Sequence, residues 1–363
     1  MIAAGLSTRS FRNLEDGESE LGSGLTVVHG ANGAGKTNLL EALFFGLTGR
    51  SCRTRREREM ITFGANLARS EVELRPQGEE RVEPFSMLSS ISSAEGRRRR
   101  IEGRDVTPDD DRRRPAVSIF MPGRLALVTG PPSPRRAHLD RLAAALWPAR
   151  AQLRASYARA LAQRNALLSR VRAGGNPEAL DAWDRELAIS AVPLVESRAA
   201  AAEALAEPFS RAAELLGLEG EALLEYRPRT GGADESAVAA ELAERRPADL
   251  ARGFTGWGPH RDEVELSRSG RSVRRYGSQG QQRIALLSLL FAERETLLQA
   301  RRALPLMLLD DVMSELDPER RDRLVGLLED GGQALITATE SAHVPDGEQH
   351  RRIAMESGRT VPA

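Results

Sequence analysis

Leu25-Thr-Val-Val28, followed by Gly30-Ala31-Asn32-Gly33-Ala34-Gly35-Lys36-Thr37-Asn38, is the stretch that decides how this chain is read. The first four residues, mostly apolar and β-branched, predict a strand. The glycine-rich turn matches Gly-x4-Gly-Lys-Ser/Thr, and Asn38 to Leu47 beyond it predicts a helix. In that context the glycines let backbone N–H groups wrap a phosphate, and the helix N-terminus favours negative charge. Lys36 is placed to reach β- and γ-phosphates, and the Thr37 hydroxyl to ligate magnesium. ATP and Mg2+ are the expected cofactors.

Composition sharpens the reading of Lys36. Of 52 basic residues, all but Lys36 are arginine. In a chain that uses arginine wherever either cation serves, position 36 requires a compact ammonium on a flexible stem, because a planar guanidinium fork cannot enter a tight phosphate cradle in the same way.

Moving outward, Leu306-Met-Leu-Leu309-Asp310-Asp311 is an apolar strand ending in two carboxylates. Beside a phosphate loop, Asp310 is expected to hold the metal through its water shell and Asp311 to face the attacking water. Upstream, Ser278-Gln-Gly280-Gln281-Gln-Arg283 opens an apolar helix. Its serine hydroxyl and bare glycine can approach a phosphate, and the same residues also read as a helix cap. Downstream stands Ser314-Glu-Leu-Asp317.

Between these ends the pattern is helical. From about Arg135 to Arg252 apolar residues recur at helical spacing, as in Leu139, Leu142, Leu146 and then Leu153, Tyr157, Leu161, Leu168. Pro148, Pro177, Pro193 and Pro208 are expected to interrupt these helices and give a compact set rather than one long coiled coil. The expected organisation is an α/β ATPase head assembled from both ends of the chain, with an inserted helical domain. Residues 1–123 form its first part, 124–253 the insertion, and 254–363 the second part. The last residues, from about Glu340, show no clear pattern.

With 363 residues the chain can hold two or three domains. Its apolar runs, such as Ile284 to Ala292, fall far short of the ~20 residues of a membrane span, and no secretory signal is readable at the start. One cysteine, Cys52, and five histidines argue against a Cys/His zinc cluster. A reducing cytoplasm is the expected compartment. Net charge is zero, so no overall field draws the chain to nucleic acid.

The order of phosphate loop, insertion, Ser-x-Gly-Gln element, Asp310-Asp311 and Ser-x-Leu-Asp resembles the ABC/SMC ATPases. In that family the Ser-x-Gly-Gln element sits on the ATP of the opposite subunit, which implies that Ser278, Gly280 and Gln281 act in trans within an ATP-dependent homodimer. The chain is further similar to the RecF family of bacterial recombination mediators within that group. The segments that match are Ser10-Phe-Arg-Asn13, Gly33 to Ala42, Gly49-Arg-Ser-Cys-Arg53, Ala162-Gln-Arg-Asn165, Gly258-Pro-His-Arg-Asp262, Gly277 to Arg283 and Leu309 to Asp317. The resemblance implies that Arg12 and Asn13 lie on the adenine side and that Asp317 joins the nucleotide site. It also implies DNA-stimulated ATP hydrolysis, binding to duplex DNA or gap junctions, and RecO and RecR as partners in loading recombinase; Asp311, shorter than the glutamate common in fast ABC ATPases, makes slow hydrolysis the expectation. Two positions depart from the family: Met121-Pro-Gly-Arg124, where an acidic residue usually follows the proline, and Cys52, where histidine is common.

Arg97-Arg-Arg-Arg100, Arg112-Arg-Arg114 and the group Arg53, Arg55, Arg56, Arg58 suit DNA phosphates through charge and counterion release. Nearby acids at Glu57, Glu59 and 109–111 offset them, and no base-reading motif is visible. Three readings therefore stand at this point: a DNA-loading ATPase switch, a nucleotide-dependent clamp or scaffold with incidental turnover, and a transporter ATPase, against which the long insertion argues.

Overall fold

The computed structural model describes residues 1–76, 83–107, 110, 114–302, 304–345, 347 and 350–362. The chain forms two compact units, residues 1–124 together with 302–363, and residues 125–301. Its strands run β1 (Ile2–Arg9), β2 (Gly17–Glu20), β3 (Leu25–His29), β4 (Leu67–Arg75), β5 (Phe85–Ser92), β6 (Gly96–Ile101), β7 (Arg104–Asp105) and β8 (Val117–Phe120). In the second unit lie β9 (Ala222–Arg227), β10 (Glu263–Arg268) and β11 (Arg271–Ser272). The first unit is completed by β12 (Leu306–Leu309), β13 (Ala334–Ala338), β14 (Arg351–Glu356) and β15 (Arg359–Pro362).

In the first unit the order β15-β14-β3-β13-β12-β8 makes one sheet, parallel except for the β14–β15 hairpin. Every residue of β12 and β13 is buried, as expected of parallel strands covered on both faces. A second, antiparallel sheet has the order β2-β1-β4-β5-β6-β7, and β5 alternates buried and half-buried residues with period two. Helix α1 (Lys36–Thr48) packs against both sheets. Hydroxyls of Ser70 on β4 and Ser89 on β5 donate to the carbonyls of Ala42 and Gly46, at 2.6 and 2.9 Å. Gly46 permits this approach, since a Cβ there would lie 2.5 Å from Val72 Cγ2. Gln333 ties the sheets together: its amide exchanges hydrogen bonds with the Ala3 backbone and donates to Gly22 O.

The second unit contains α2 (Pro132–Leu146), α3 (Leu153–Arg172), α4 (Leu180–Leu215), α5 (Glu235–Glu244), α6 (Arg246–Arg252) and α7 (Gln279–Arg301). Here two expectations change. Pro193 and Pro208 do not interrupt a helix, because α4 runs through both for 36 residues. Proline at 208 cannot donate to the carbonyl four residues earlier, and Thr296 Oγ1 of α7 donates to that Ala204 carbonyl instead, at 3.1 Å. Packing along α3 and α7 supports the rest of the helix. The expected division at residue 254 also differs from the compact units, since residues 254–301 cluster with the helical segment through the α4–α7 contact.

Two of the three family-like segments in this unit, Ala162–Asn165 and Gly258–Asp262, are tied into its buried hydrogen-bond network. Arg164 of α3 is fully buried, donating to Asp184 at 2.6 Å, Asp249 at 2.7 Å, Thr255 Oγ1 at 2.7 Å and Leu242 O at 3.2 Å. Asn165 Oδ1 accepts from Thr255 N and Oγ1. Asp262, fully buried, accepts from Arg198, from the Tyr226 hydroxyl and from Arg229 N. A buried cation that satisfies two carboxylates is costly to remove, because both acids are left unpaired. Arg164→Leu should therefore lower the stability of this unit by about 3–5 kcal/mol, read as a lower urea midpoint. An unchanged midpoint would show that the network adds nothing.

Candidate functional site

Strand register brings the sequence-separated motifs to one edge. Leu309 of β12 pairs with Ile336 of β13, and Ile336 with Val27 of β3. The loop after β3, the acids after β12 and the end of β13 therefore emerge side by side, at the carboxyl edge where α/β sheets bind ligands. Gly30 has φ 154° and Gly35 has φ 109°. At Gly30 a Cβ would strike the Met355 carbonyl, and at Gly35 it would lie 2.9 Å from Met355 Cε. The C-terminal β14–β15 hairpin thus presses on the loop, and Gly358 N at its turn donates to Ala34 O at 2.8 Å.

Helix α1 begins at Lys36, with no acidic residue in its first turn and no side-chain cap, so its positive end faces the loop uncompensated. Lys36 is buried, and its Nζ donates to Gly30 O at 2.7 Å and Ala31 O at 3.0 Å. Burial pulls its pKa below the ordinary lysine value, while Asp311 and Asp310 act in the opposite sense. Thr37 Oγ1 and Thr337 Oγ1 both donate to Asp310 Oδ1, each at 2.8 Å. Thr337 Oγ1 in turn accepts from Asp311 N at 2.8 Å. Asp311 is held in the left-handed region, φ 48°, and its buried Oδ1 has no hydrogen-bond partner among the described residues.

Oxygen donors of this kind fit a hard cation. Among the described residues no group of three or more His, Cys, Asp or Glu side chains forms a metal cage. Magnesium takes one or two protein ligands and completes its shell with water and phosphate oxygens. Thr37 and Asp310, joined at 2.8 Å, are oxygen-bearing side chains that could hold such an ion.

The remaining expected residues fall as follows. Asn13 Nδ2 donates to Gly33 O at 3.1 Å, and Asn38 Nδ2 to Asn13 Oδ1 at 2.6 Å, so both border the loop. Arg12 spends its fork on Glu41, a fully buried carboxylate of α1, at 2.9 and 3.1 Å. Ser51 Oγ also donates to Glu41, and Arg53 bridges it to Asn38. Cys52 beside this group has its thiol pushed up to about 12 by burial and by Glu41. Asp317 caps α8 (Pro318–Glu329) by accepting from Arg320 N at 2.9 Å.

Ser278, Gly280 and Gln281 lie in the second unit at the start of α7. Ser278 Oγ accepts from Gln281 N at 3.3 Å, and Ser278 N donates to Gln281 Oε1 at 2.9 Å, a reciprocal capping box. Ser278 is nevertheless exposed. The Arg97–Arg100 cluster is answered locally: Arg97 by Glu57, Arg98 by Glu95, Arg100 by Asp105, and Arg99 by the Leu47 carbonyl. Arg112 and Arg113 lie outside the described residues, as do Asp109 and Asp111. At Met121-Pro-Gly-Arg124 the Arg124 guanidinium donates to Ile119 O at 2.6 Å.

Sequence reasoning missed Thr337, Glu41 and the Met355–Gly358 hairpin. The signals for the first two were present, a threonine closing an apolar strand and an acid inside an apolar helix, but neither says which partner it meets. No described helix is long and apolar enough to cross a membrane.

Comparison with known proteins agrees with this architecture. The chain matches the family described as RecF/RecN/SMC N terminal domain over residues 3–361. It is 37% identical to the DNA replication and repair protein RecF of Myxococcus xanthus, covering 93% of this chain and 91% of that one. A solved structure described as the recombination mediator protein RecF-ATP in the RecFOR pathway superposes with a TM-score of 0.87 at 25% identity, covering 99% of this chain and 97% of the other. An Smc head bound to the C-winged helix domain of ScpA, at 16% identity and a TM-score of 0.59 over 99% of this chain and 96% of its own, shares the fold. A family match along nearly the whole chain, and relatives more than a third identical over most of both sequences, mean that this chain belongs to the RecF family of RecF/RecN/SMC proteins.

Proposed function

We propose that this protein is an ATP-dependent, DNA-binding recombination mediator with slow ATP hydrolysis, whose nucleotide site is completed by a second copy of the chain. The observation that carries the reading is the meeting of Thr37 and Thr337 on Asp310, beside the glycine-rich loop and the free Asp311 oxygen. Bound Mg2+ and ATP would supply the phosphoanhydride and the charge that polarises it. Lys36 exchanges its two carbonyl partners for β- and γ-phosphate oxygens, which an ammonium can do by rotating its stem. Thr37 and Asp310 hold the metal. Asp311 takes the proton of the attacking water, with its backbone fixed by Thr337 and its Oδ1 unengaged.

In this reading Gly30 to Asn38 cradle the phosphates and Asn13 borders the base side. Arg12, engaged by Glu41, acts there through its remaining N–H groups or as a strut. Ser278, Gly280 and Gln281 reach the partner copy's nucleotide, and Asp317 borders that interface. Residues 254–301, although compact with the helical unit, thereby serve the ATPase head functionally. DNA is held through phosphates at exposed arginines such as Arg55 and Arg56, in the cytoplasm, with RecO and RecR as the partners that the family's RecFOR pathway suggests.

Lys36→Arg keeps the charge but changes its shape, and should reduce ATP affinity or turnover by about tenfold or more. Calorimetry and phosphate release showing wild-type behaviour would refute the assignment of Lys36. The two acids should separate: Asp310→Asn loses magnesium-dependent nucleotide binding, while Asp311→Asn retains ATP and slows hydrolysis by about 100-fold. Native rates in both variants would reduce the pair to a strand end.

Ser278→Arg tests the shared site. It should leave ATP binding by the monomer nearly intact and abolish ATP-dependent dimerisation, followed by light scattering, with a thermal melt to detect the lost cap. Mixing it with Lys36→Ala creates one hybrid site with native Lys36 and Ser278, so partial hydrolysis should return. Normal dimerisation of Ser278→Arg would instead mean that the cap is the element's whole role.

A further inference from the structure

The second unit holds a cavity of about 920 Å³ that the ATPase reading does not use. Its walls come from the start of α2, the ends of α5 and α6, and the segment Gly256 to Arg261, so it contains part of the Gly258-Pro-His-Arg-Asp262 motif. Arg136, Arg229, Arg252 and Arg261 are among its lining residues, and none has a carboxylate partner among the described residues. Arg136 donates to the Asp262 carbonyl at 2.7 Å, Arg229 to the Arg261 carbonyl at 3.4 Å, and Arg261 lies over the Phe254 ring at 5.7 Å. A Cβ at Gly256 would come within 2.6 Å of Arg252 Nη1, so glycine leaves that guanidinium its room.

Four guanidinium-bearing residues around one cavity without a carboxylate partner are an arrangement that an anion relieves. The acid on the wall does not serve this purpose, because Asp249 is buried and engaged by Arg164 and Gly256 N. Burial, followed by repulsion from Arg198, pulls the Arg136 pKa below its ordinary value, while the charges of Asp262, Glu263 and Asp140 act in the opposite sense without pairing with it.

Two rings give the cavity more than charge. Trp257 lines it with the Arg245 guanidinium 5.5 Å from its ring. His260 is held neutral, its pKa lowered to about 4 chiefly by burial, with Nδ1 against the Tyr157 hydroxyl and Nε2 against Thr255 O. Its ring therefore offers surface rather than a further cation. Guanidiniums for phosphate oxygens beside aromatic surface for a base are the two elements that single nucleotides and unpaired strands use. The volume suits a nucleotide-sized ligand.

We propose that this cavity is a second nucleoside-phosphate site, separate from the glycine-rich loop, with Arg136, Arg229, Arg252 and Arg261 taking phosphate oxygens and Trp257 taking the base. The same chemistry is offered by a free nucleotide and by the 5′-phosphorylated end of an unpaired strand, so the test includes both. It stands independently of the ATPase reading, because every residue it uses lies in the second unit.

The test uses the full chain carrying Lys36→Ala, which silences the loop if the ATPase reading holds and is neutral if it does not. Fluorescence anisotropy follows a fluorescein-labelled oligothymidylate of about ten nucleotides bearing a 5′-phosphate, with the unphosphorylated strand and thymidine 5′-monophosphate as competitors. Arg252→Gln with Arg261→Gln, both exposed positions, should weaken binding at least tenfold, Trp257→Leu should weaken it several-fold, and Arg185→Gln, an exposed control elsewhere on this unit, should leave it unchanged. Competition by the monophosphate identifies a free nucleotide as the ligand, whereas preference for the phosphorylated strand alone identifies a strand end. Equal binding by the double variant and the Arg185 control overturns the site. Loss on arginine substitution without any effect of Trp257→Leu or Trp257→Phe overturns its nucleoside specificity, leaving a plain anion trap.

Discussion

A parallel strand in the middle of a sheet must find backbone partners on both sides, and β3 finds neither of them nearby in sequence. Its neighbours are β13 and β14, which begin at Ala334 and Arg351. The phosphate-loop strand is therefore completed only by chain that follows the whole of the second unit. Unpaired N–H and C=O groups in so buried a strand would cost several kcal/mol between them, so the loop's scaffold cannot form from the N-terminal residues alone. The 125–301 segment is an insertion in the strict sense: the chain leaves the first unit after Arg124 and re-enters it at Arg302.

The same closure produces the chemistry. Once β12 and β13 are in register with β3, Asp310 stands next to both Thr37 and Thr337, and two hydroxyls converge on one carboxylate oxygen. Lys36 is buried beside them, losing hydration that its backbone carbonyl partners and the neighbouring acids replace. The loop itself is shaped from behind by the C-terminal hairpin, where Met355 leaves no space for side chains at Gly30 and Gly35 and Gly358 N holds the Ala34 carbonyl. A part of the chain with no legible motif thus sets the curvature of the part with the clearest one.

Charge in the second unit follows a different logic. Arg164 and Arg198 are buried and matched to Asp184, Asp249, Asp140 and Asp262, using the several N–H groups of a planar fork to satisfy several acceptors at once. These pairs organise helices that prolines would otherwise weaken. Around the cavity that Trp257 lines, by contrast, Arg136, Arg229, Arg252 and Arg261 have no carboxylate partner among the described residues, and a net charge of zero conceals them.

What the sequence determined by itself was local chemistry: the strand–loop–helix of residues 25–47, the acids closing the Leu306–Leu309 strand, the split of an α/β head by helical sequence, and the unique lysine. These are readable because glycine, lysine and paired acids are demanded by short-range geometry. Only the tertiary structure decided which distant groups meet. Thr337 on Asp310, Glu41 on Arg12, Thr296 on the carbonyl freed by Pro208, and the hairpin behind the loop all join residues whose sequence patterns are ordinary. It likewise kept α4 continuous through two prolines and grouped residues 254–301 with the helical unit. The physical reason is the same throughout: propensity and spacing specify what one segment can do, whereas hydrogen-bond satisfaction and packing in a buried interior depend on partners that only the closed fold brings within reach.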